Sequence, residues 1–299
     1  METQHTVAVA GATGRVGRHV VEALAERGHE VLKISRSSGV DIVTGEGLAN
    51  ALRGVEFVVD ASSGASPEQQ AATDFFTAAT RNLQQLGAQA GVRRIVAVSI
   101  IGTDRFTAGY GAAKQAHERA MLSGPVPATI VRAAQFHEFV AQLMDWGRRD
   151  GTIYLPKMRT QLVAARTVAE TLADLATERG PVQARAANGT PILAIAGPRE
   201  ENLADVARLL AAHNGDKARI EAVNNPDDPD DALYESGALL PGPDAILAGP
   251  TFEQWLRDQR DERVDQLIMA GPTTTTIAME PSAGTIDYRD HNRASGDEC

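Results

Sequence analysis

Three glycines near the start of the chain, Gly11, Gly14 and Gly17, constrain its fold more than any other feature. A short apolar run at 7–10 precedes them, and apolar residues at helical spacing follow up to Ala25. This order is typical of a β-strand, a phosphate-binding turn and an α-helix. The first glycine permits a tight turn, the second admits a pyrophosphate, and the third lets the helix pack against the strand. A plain structural turn is the alternative, but the place of the glycines after the first predicted strand favours a dinucleotide site.

The turn and the helix that follows it are where we expect the phosphates of a dinucleotide. Free N–H groups and the positive end of the helix dipole favour an anion at a helix N-terminus. The predicted cofactor contacts in this turn are Gly11, Thr13, Gly14, Arg15, Val16 and Gly17. Ala61 and Ser62, in the loop after a later strand, and Ser35 and Arg36 complete the predicted cofactor site.

The segment Ser35-Arg36-Ser37-Ser38 after the second predicted strand bears on which nicotinamide cofactor fits. An acidic residue there accepts hydrogen bonds from the ribose hydroxyls of NAD, whereas the 2′-phosphate of NADP needs a cation. No acidic residue follows the strand before Asp41, and Arg36 can form a bidentate pair with a phosphate beside serine donors. We expect Arg15 to be a second cation on the same side. The segment therefore predicts NADP (NADPH), and a solvated loop arginine is the alternative for Arg36.

Strands and helices alternate along the first half of the chain. The predicted strands are 7–10, 30–35, 41–43, 55–60, 94–99 and 127–132, and the predicted helices after the first are 47–52, 67–90 and 110–121. This rhythm predicts an α/β fold with a Rossmann-type doubly wound parallel sheet. Ligands of such a sheet bind beyond the carboxyl ends of its strands.

The rhythm loosens beyond Arg132. We predict helices at 139–149, 168–176 and 203–212, strands at 153–155 and 191–195, and an exposed loop at 224–231. Three regions follow from this pattern. Residues 1–132 form an NADP-binding Rossmann core, and residues 133–256 complete the core and form a small C-terminal substrate pocket. Residues 257–299 form a charged tail that we expect to be disordered.

Charge and composition exclude several classes of function. The net charge of −10 disfavours nucleic acid and anionic membranes as main partners. Cys299 is the only cysteine, so disulfides, thiolate metal sites and a catalytic cysteine are excluded. No basic and apolar leader precedes the first predicted strand, and the apolar runs are too short to cross a bilayer. We expect a cytoplasmic protein that binds a small-molecule substrate and, because Asp60 and Glu170 lack suitable companions, no metal.

Ser99, Tyr110 and Lys114 are the candidate catalytic residues. Ser99 ends a predicted strand, and the spacing of Tyr110 and Lys114 puts them on one face of the next helix. The unperturbed pKa of a phenol is about 10, and a nearby ammonium group lowers it. Together the three side chains can protonate a carbonyl oxygen while a cofactor delivers hydride. A tyrosine and a lysine that share an exposed helix face by chance are the alternative.

These segments resemble those of short-chain dehydrogenases/reductases of the extended or atypical kind, close to the NmrA-like branch. The resemblance covers roughly residues 6–256 and rests on Gly11-Ala-Thr-Gly-Arg-Val-Gly17, Ser35-Arg36, Val96-Ala-Val-Ser99, Tyr110-Gly-Ala-Ala-Lys114 and Thr129-Ile-Val-Arg-Ala-Ala-Gln-Phe136. It implies NADP binding, Tyr110 as the proton donor, Lys114 as its partner and Ser99 as the carbonyl anchor. Many NmrA-like proteins lack a working tyrosine and act as cofactor sensors. Because this chain keeps Tyr110 and Lys114, the resemblance favours an enzyme.

Apolar and aromatic residues after the strand at 127–132 predict a wall of the substrate pocket. They are Gln135, Phe136, His137, Phe139, Met144, Trp146, Tyr154 and Met158. Ordinary packing between the two regions is the alternative for most of them, and His137 beside aromatic rings is more often structural. An apolar pocket suits a quinone or a flat ketone. We therefore predict an NADP-dependent oxidoreductase; an NADP(H)-sensing regulator is the second hypothesis, and an epimerase or dehydratase the third.

Overall fold

The structure is a computed structural model that describes residues 3–179 and 191–259. Its strands are β1 (Thr6–Ala10), β2 (Glu30–Ile34), β3 (Phe57–Asp60), β4 (Arg94–Ile100), β5 (Ala128–Ala133), β6 (Arg148–Arg149), β7 (Thr152–Pro156), β8 (Arg159–Thr160), β9 (Ile192–Ala196), β10 (Glu201–Asn202), β11 (Arg219–Val223) and β12 (Ile246–Leu247). Seven of them form one sheet in the order β12-β9-β5-β4-β3-β1-β2. Every neighbouring pair in this sheet is parallel. The predicted Rossmann-type parallel sheet is confirmed.

Helices cover both faces of this sheet. The α-helices named in the described residues are α1 (Gly17–Glu26), α2 (Leu48–Ala51), α3 (Gln69–Ala90), α4 (Gly109–Leu122), α5 (Phe139–Gly147), α6 (Ala165–Ala176), α7 (Leu203–Asn214) and α8 (Asp231–Glu235). Of these, α1 and α6 lie on one face of the sheet, and α2 and α3 lie on the other. Alternate residues of a strand point to opposite faces of the sheet. In β1, Val7 and Val9 pack with residues of α1 and α6, whereas Ala8 and Ala10 pack with residues of α2 and α3. The central strands are therefore buried on both sides, as a doubly wound sheet requires.

The second half of the chain adds two small sheets and a separate apolar cluster. Strands β6, β7 and β11 form one small sheet, and β8 and β10 form the other. Residues from α5, β7, α7 and the 252–259 helical segment pack together, with Phe252 fully buried. Since α5 follows β5 directly, this cluster lies beyond the carboxyl end of a central strand, as expected for a region beside the ligand site.

Two predicted elements are wrong. Residues 41–43 form a turn instead of a strand, because the Asp41 carboxylate accepts hydrogen bonds from the backbone N–H groups of Val43 (2.7 Å) and Thr44 (3.3 Å). An aspartate that bonds its own backbone two residues ahead favours a turn. The helix predicted at 139–149 ends at Gly147, and the next two residues pair with β7. A Cβ at Gly147 would lie 2.0 Å from the Tyr154 carbonyl oxygen, so this close approach requires glycine.

The loop predicted at 224–231 is largely exposed, but Asp230 in it is buried. Its carboxylate accepts hydrogen bonds from the Thr107 backbone N–H (2.7 Å), the Thr107 hydroxyl (2.8 Å) and the Ala108 backbone N–H (2.8 Å). These bonds tie the loop to the segment that enters α4. Of the predicted tail, residues 257–259 are helical, and residues 260–299 lie outside the described residues.

No helix among the described residues is long and apolar enough to cross a membrane.

The contact between the start of α1 and the preceding turn leads to the first prediction. A Cβ at Gly17 would lie 2.0 Å from the Gly11 carbonyl oxygen, whereas a Cβ at Gly242 would meet nothing within 4 Å. We expect Gly17→Ala to lower the free energy of unfolding by about 1–3 kcal/mol, because α1 must move off the turn. Gly242→Ala is the matched control and should change it by less than about 0.5 kcal/mol. Urea denaturation measures the free energy of unfolding of both variants. Equal losses in the two variants would contradict the close contact between Gly17 and the Gly11 carbonyl.

Candidate active site

The glycine turn joins three parts of the site. Gly11 has a φ of +73°, which favours glycine, and its N–H donates to the carbonyl of Ile34 at the end of β2 (3.1 Å). A Cβ at Gly11 would lie 2.7 Å from the Ala61 carbonyl oxygen and 2.8 Å from the Cα of Ser62. The loop after β3 therefore packs directly on the turn.

The accessible face of this turn fits a dinucleotide. Thr13 and Gly14 are exposed, whereas Val16 and Gly17 are buried against the sheet. The exposed part precedes the N-terminus of α1, where unpaired N–H groups attract phosphate. Since no side chain fills the cradle at Gly14, a pyrophosphate can approach the backbone there.

Arg36 and the serines around it form a tight turn at the end of β2. The 3-10 segment Arg36–Ser38 follows Ser35, whose N–H donates to the Ser38 hydroxyl oxygen (3.0 Å). The Ser38 hydroxyl donates to the Ser35 carbonyl oxygen (2.7 Å). Arg36 is exposed, and no carboxylate in the described parts of the chain pairs with it. Its guanidinium is thus free to bind an anion beside β2.

Arg15 does not converge with Arg36 as the sequence suggested. Its Nη2 donates to the Gln142 side-chain oxygen (3.0 Å), and its guanidinium carbon lies 5.7 Å from the centre of the Phe139 ring. Both partners belong to α5, which follows β5, whereas Arg36 follows β2. Strands β5 and β2 lie on opposite sides of β1 in the sheet, so the two arginines face different parts of the site.

The structure places Ser99 and the side-chain nitrogen of Lys114 at the carboxyl end of β4, with Tyr110 on the same helix as Lys114. The buried Lys114 side chain extends from α4, and its Nζ donates to the carbonyl of Val98 (2.8 Å). Tyr110 lies one helical turn before Lys114, and its ring packs edge-on against Phe76 at 5.8 Å. The hydroxyl of Ser99 is buried and has no hydrogen-bond partner within the described residues. A buried hydroxyl with no partner is costly, and a bound oxygen atom can satisfy it.

Lys114 also belongs to a buried polar chain that the sequence analysis did not find. Its Nζ lies 2.9 Å from Nδ1 of His117, and Nε2 of His117 lies 3.2 Å from Oδ2 of Asp60. The Asp60 Oδ1 accepts hydrogen bonds from the hydroxyl (2.6 Å) and the N–H (3.0 Å) of Ser62. The polar chain thus runs from the candidate catalytic lysine to the loop that packs on the glycine turn.

The electrostatics of this cluster differ from the expectation. Burial, and after it the charge of Asp60, raises the pKa of Tyr110 to about 12, so the predicted lowering of this pKa by Lys114 is wrong. Burial lowers the pKa of Lys114 to about 8, and the negative charges of Asp60 and Glu118 oppose that fall. Near neutral pH the site therefore holds a protonated phenol beside an ammonium group.

The pKa values of Asp60 and His117, the other two ionisable members of the polar chain, are both below their ordinary values. Burial disfavours the charged form of Asp60, but hydrogen bonds from His117 and Ser62 hold its pKa below the ordinary value. Burial, and then the charge of Lys114, lower the pKa of His117. Near neutral pH the polar chain is therefore an ammonium group, a neutral imidazole and a carboxylate, in that order.

Most of the predicted substrate wall serves packing. His137 is buried against Phe252 and Trp255, its Nε2 lies 3.2 Å from the Leu162 carbonyl oxygen, and burial lowers its pKa to about 4. Gln135, Phe136, Met144 and Met158 pack or bond within the protein. Phe139 and Trp146 differ: their rings meet edge-on at 5.7 Å beside Arg15, and Trp146 is 55% exposed. Tyr154 is also exposed.

Within residues 3–179 and 191–259, no group of three or more His, Cys, Asp and Glu side chains is arranged to hold a metal ion.

Comparison with solved structures agrees with the fold. A short-chain dehydrogenase/reductase superfamily protein from Agrobacterium tumefaciens with bound NAD matches 89% of this chain and 99% of its own, with a TM-score of 0.60 and 18% identity. MoeE5, in complex with UDP-glucose and NAD, matches 87% of this chain and 99% of its own, with a TM-score of 0.64 and 16% identity. The predicted similarity to short-chain dehydrogenases/reductases is confirmed at the level of the fold.

Comparison of sequences gives the family. A 3-beta-hydroxysteroid dehydrogenase from Mycolicibacterium neoaurum is 32% identical over 111 residues, which span 30% of this chain and 30% of that protein. Residues 11–179, more than half of the chain, match the model of the NAD(P)H-binding family. These residues include the glycine turn, Arg36, Ser99, Tyr110 and Lys114. The chain therefore belongs to the NAD(P)H-binding family.

Proposed function

We propose that this protein is an oxidoreductase that transfers hydride between NADPH and a small apolar carbonyl compound or quinone. One observation carries the proposal. The Nζ of the buried Lys114 donates to the carbonyl of Val98 at the carboxyl end of β4, and the next residue of that strand, Ser99, has a buried hydroxyl with no partner among the described residues. The protonated phenol of Tyr110 lies one helical turn before Lys114 on α4. Parallel sheets bind their ligands at this end of the strands.

Each of the three side chains has a distinct role in the proposed reduction. Bound NADPH supplies the hydride. Tyr110, which its high pKa keeps protonated, donates its proton to the substrate oxygen. The Ser99 hydroxyl donates a hydrogen bond to the same oxygen. The Lys114 ammonium stabilises the phenolate that remains and binds the nicotinamide ribose.

The preference for NADPH over NADH rests on Arg36. Its guanidinium is exposed and unpaired within the described residues, and the Ser35–Ser38 turn presents hydroxyls beside it. No acidic side chain is present at the end of β2 to accept bonds from the ribose hydroxyls of NAD. A 2′-phosphate supplies the anion that this arrangement lacks.

The proposed substrate is flat and apolar. Phe139 and Trp146 offer aromatic surface beside the glycine turn, and Trp146 is largely exposed. The relative from Mycolicibacterium neoaurum is named for a hydroxysteroid, which is a flat apolar compound with a reactive oxygen. Aromatic side chains bind such rings through area burial and edge contacts.

The role of Tyr110 is tested by Tyr110→Phe with NADPH and a panel of aromatic ketones. Loss of the proton donor should reduce kcat at least about 100-fold, with the Kd for NADPH changed less than about twofold. Tyr234→Phe is the matched control, because burial also raises the pKa of Tyr234 to about 12 and Tyr234 packs against Phe106. Turnover that survives Tyr110→Phe would remove the proposed mechanism. NADPH binding by the native protein without turnover of any ketone or quinone would favour an NADP(H) sensor.

The cofactor preference is tested by Arg36→Asp. The variant exchanges a phosphate partner for a carboxylate, so we expect the Kd for NADPH to rise about 10- to 100-fold while that for NADH stays equal or falls. Arg257→Asp, at an exposed place on the 252–259 helical segment, makes the same change in net charge and should alter neither value. Titration calorimetry measures both. An unchanged ratio of the two Kd values in Arg36→Asp would refute the assignment of NADP.

The pH dependence of the reaction follows from Lys114. Burial lowers its pKa to about 8, so the ammonium form is lost as the pH rises through that value. Tyr110 stays protonated over the same range because its pKa is about 12. We expect kcat for ketone reduction to be constant below pH 7 and to fall tenfold per pH unit well above about pH 8. A kcat that stays constant up to about pH 10 would contradict the role of Lys114.

A further inference from the structure

Lys114 is held at two points on one side of its ammonium group. Its Nζ donates to the carbonyl of Val98 (2.8 Å) and to Nδ1 of His117 (2.9 Å). An ammonium group has three N–H donors, so one remains for other partners. The two internal bonds fix Nζ at the carboxyl end of β4 and set the direction of this third donor.

The hydrogen-bond pattern selects one tautomer of His117. Since the ammonium group donates to Nδ1, that nitrogen is unprotonated, and Nε2 carries the hydrogen. Nε2–H then donates to Oδ2 of Asp60 (3.2 Å), whose Oδ1 accepts the two bonds from Ser62. Apart from the third N–H of Lys114, every donor in the polar chain meets an acceptor, and Asp60 orients the imidazole as carboxylates do in histidine pairs elsewhere.

Packing holds the same geometry. The ring of His117 stacks on Phe76 at 4.6 Å with an interplanar angle of 16°, and Nζ of Lys114 lies 4.3 Å from the centre of the same Phe76 ring. His117, Asp60 and Lys114 are all buried. A rotation of either α4 side chain would break a buried hydrogen bond, which water cannot replace at this depth.

The charged groups around Lys114 single out Asp60. The Nζ of Lys114 contacts His117 of α4, the carbonyl of Val98 in β4 and the uncharged ring of Phe76 in α3. The charges of Asp60 in β3 and Glu118 in α4 act on it, and Tyr110 lies one helical turn before it on α4. Glu118 is already bound by the guanidinium of Arg132 at 2.7 and 2.9 Å. Asp60 has no lysine or arginine partner among the described residues. The imidazole of His117 contacts both Asp60 and Lys114 and so links them.

We propose that His117 and Asp60 are positioning residues that hold the Lys114 ammonium group in place and keep it charged for its action on Tyr110 and the cofactor. The inference rests on the proposed function for the role of Lys114. The position and charge of Lys114 are nevertheless properties of the protein alone. They can be measured with no cofactor or substrate present.

The test is an NMR titration of the full chain labelled with ¹³C at lysine Cε. The chain contains four lysines, Lys33, Lys114, Lys157 and Lys217, so the signal of Lys114 is assigned by its loss in Lys114→Arg. In the native protein we expect Lys114 to titrate near its lowered pKa of about 8. Asp60→Asn should move this titration down by at least about one pH unit, because it removes the negative charge. Asp205→Asn, at an exposed place on α7, is the control and should leave it unchanged.

A second pair of variants separates positioning from simple loss of charge. His117→Leu removes the acceptor of the Lys114 bond, so the pKa of Lys114 should fall. In His117→Gln an amide can accept from Nζ and donate to Asp60, so a large part of the native pKa should return. Because neither variant alters Asp60, this pair also tests the proposal if Asp60→Asn does not fold. Circular dichroism establishes that each variant is folded.

When kcat is measured against pH, its fall on the basic side should move to lower pH in the variants by as much as the NMR titration of Lys114 does. A fall of one pH unit in the pKa of Lys114 reduces the ammonium fraction at pH 8 about fivefold, and kcat at that pH should fall by the same factor. An unmoved Lys114 titration in folded Asp60→Asn and His117→Leu overturns this inference. Absent turnover in the native protein overturns the proposed function instead.

Discussion

The close approach between the backbone of Gly17 and the carbonyl of Gly11 is the constraint on which the rest of the site depends. It fixes the start of α1 against the turn, and the same turn leaves no room for a Cβ at Gly11 beside Ala61 and Ser62. Ser62 bonds the carboxylate of Asp60, which continues through His117 to Lys114. The glycine turn and the candidate catalytic lysine are thus joined through one continuous set of contacts.

The sequence predicted those elements whose pattern is local. Apolar runs identified six of the seven strands of the central sheet, because burial on both faces leaves a strong apolar signal, whereas the two-residue β12 was not predicted. The strand predicted at 41–43 is a turn, because the Asp41 carboxylate accepts a hydrogen bond from the backbone two residues ahead. This bond outweighs the short apolar pattern that predicted the strand. The prediction that Arg15 lies on the same side as Arg36 was wrong for another reason. The partners of Arg15 are on α5, more than 120 residues away along the chain, and no local pattern shows them.

The buried polar chain at the candidate active site could not be predicted from the sequence for a similar reason. Asp60 and His117 are 57 residues apart along the chain and meet because α4 packs against the sheet to which β3 belongs. The spacing of Tyr110 and Lys114 identified a shared helix face but gave no measure of burial. Burial reverses the expected effect on the pKa of the phenol, so Tyr110 is protonated near neutral pH. The spacing of Lys114 and His117 on α4 was the one local signal of the polar chain, because residues three apart are neighbours on a helix.

Transfer of isotope from the cofactor to a product tests the central claim most directly. NADPH that carries deuterium at C4 of the nicotinamide ring is incubated with the native protein and an aromatic ketone, and mass spectrometry locates the label. If the protein is a reductase of this kind, one deuterium appears on the carbinol carbon when the labelled hydrogen lies on the transferred face. If neither face of labelled NADPH gives a deuterated alcohol from any ketone although NADPH binds, hydride transfer to a ketone is contradicted.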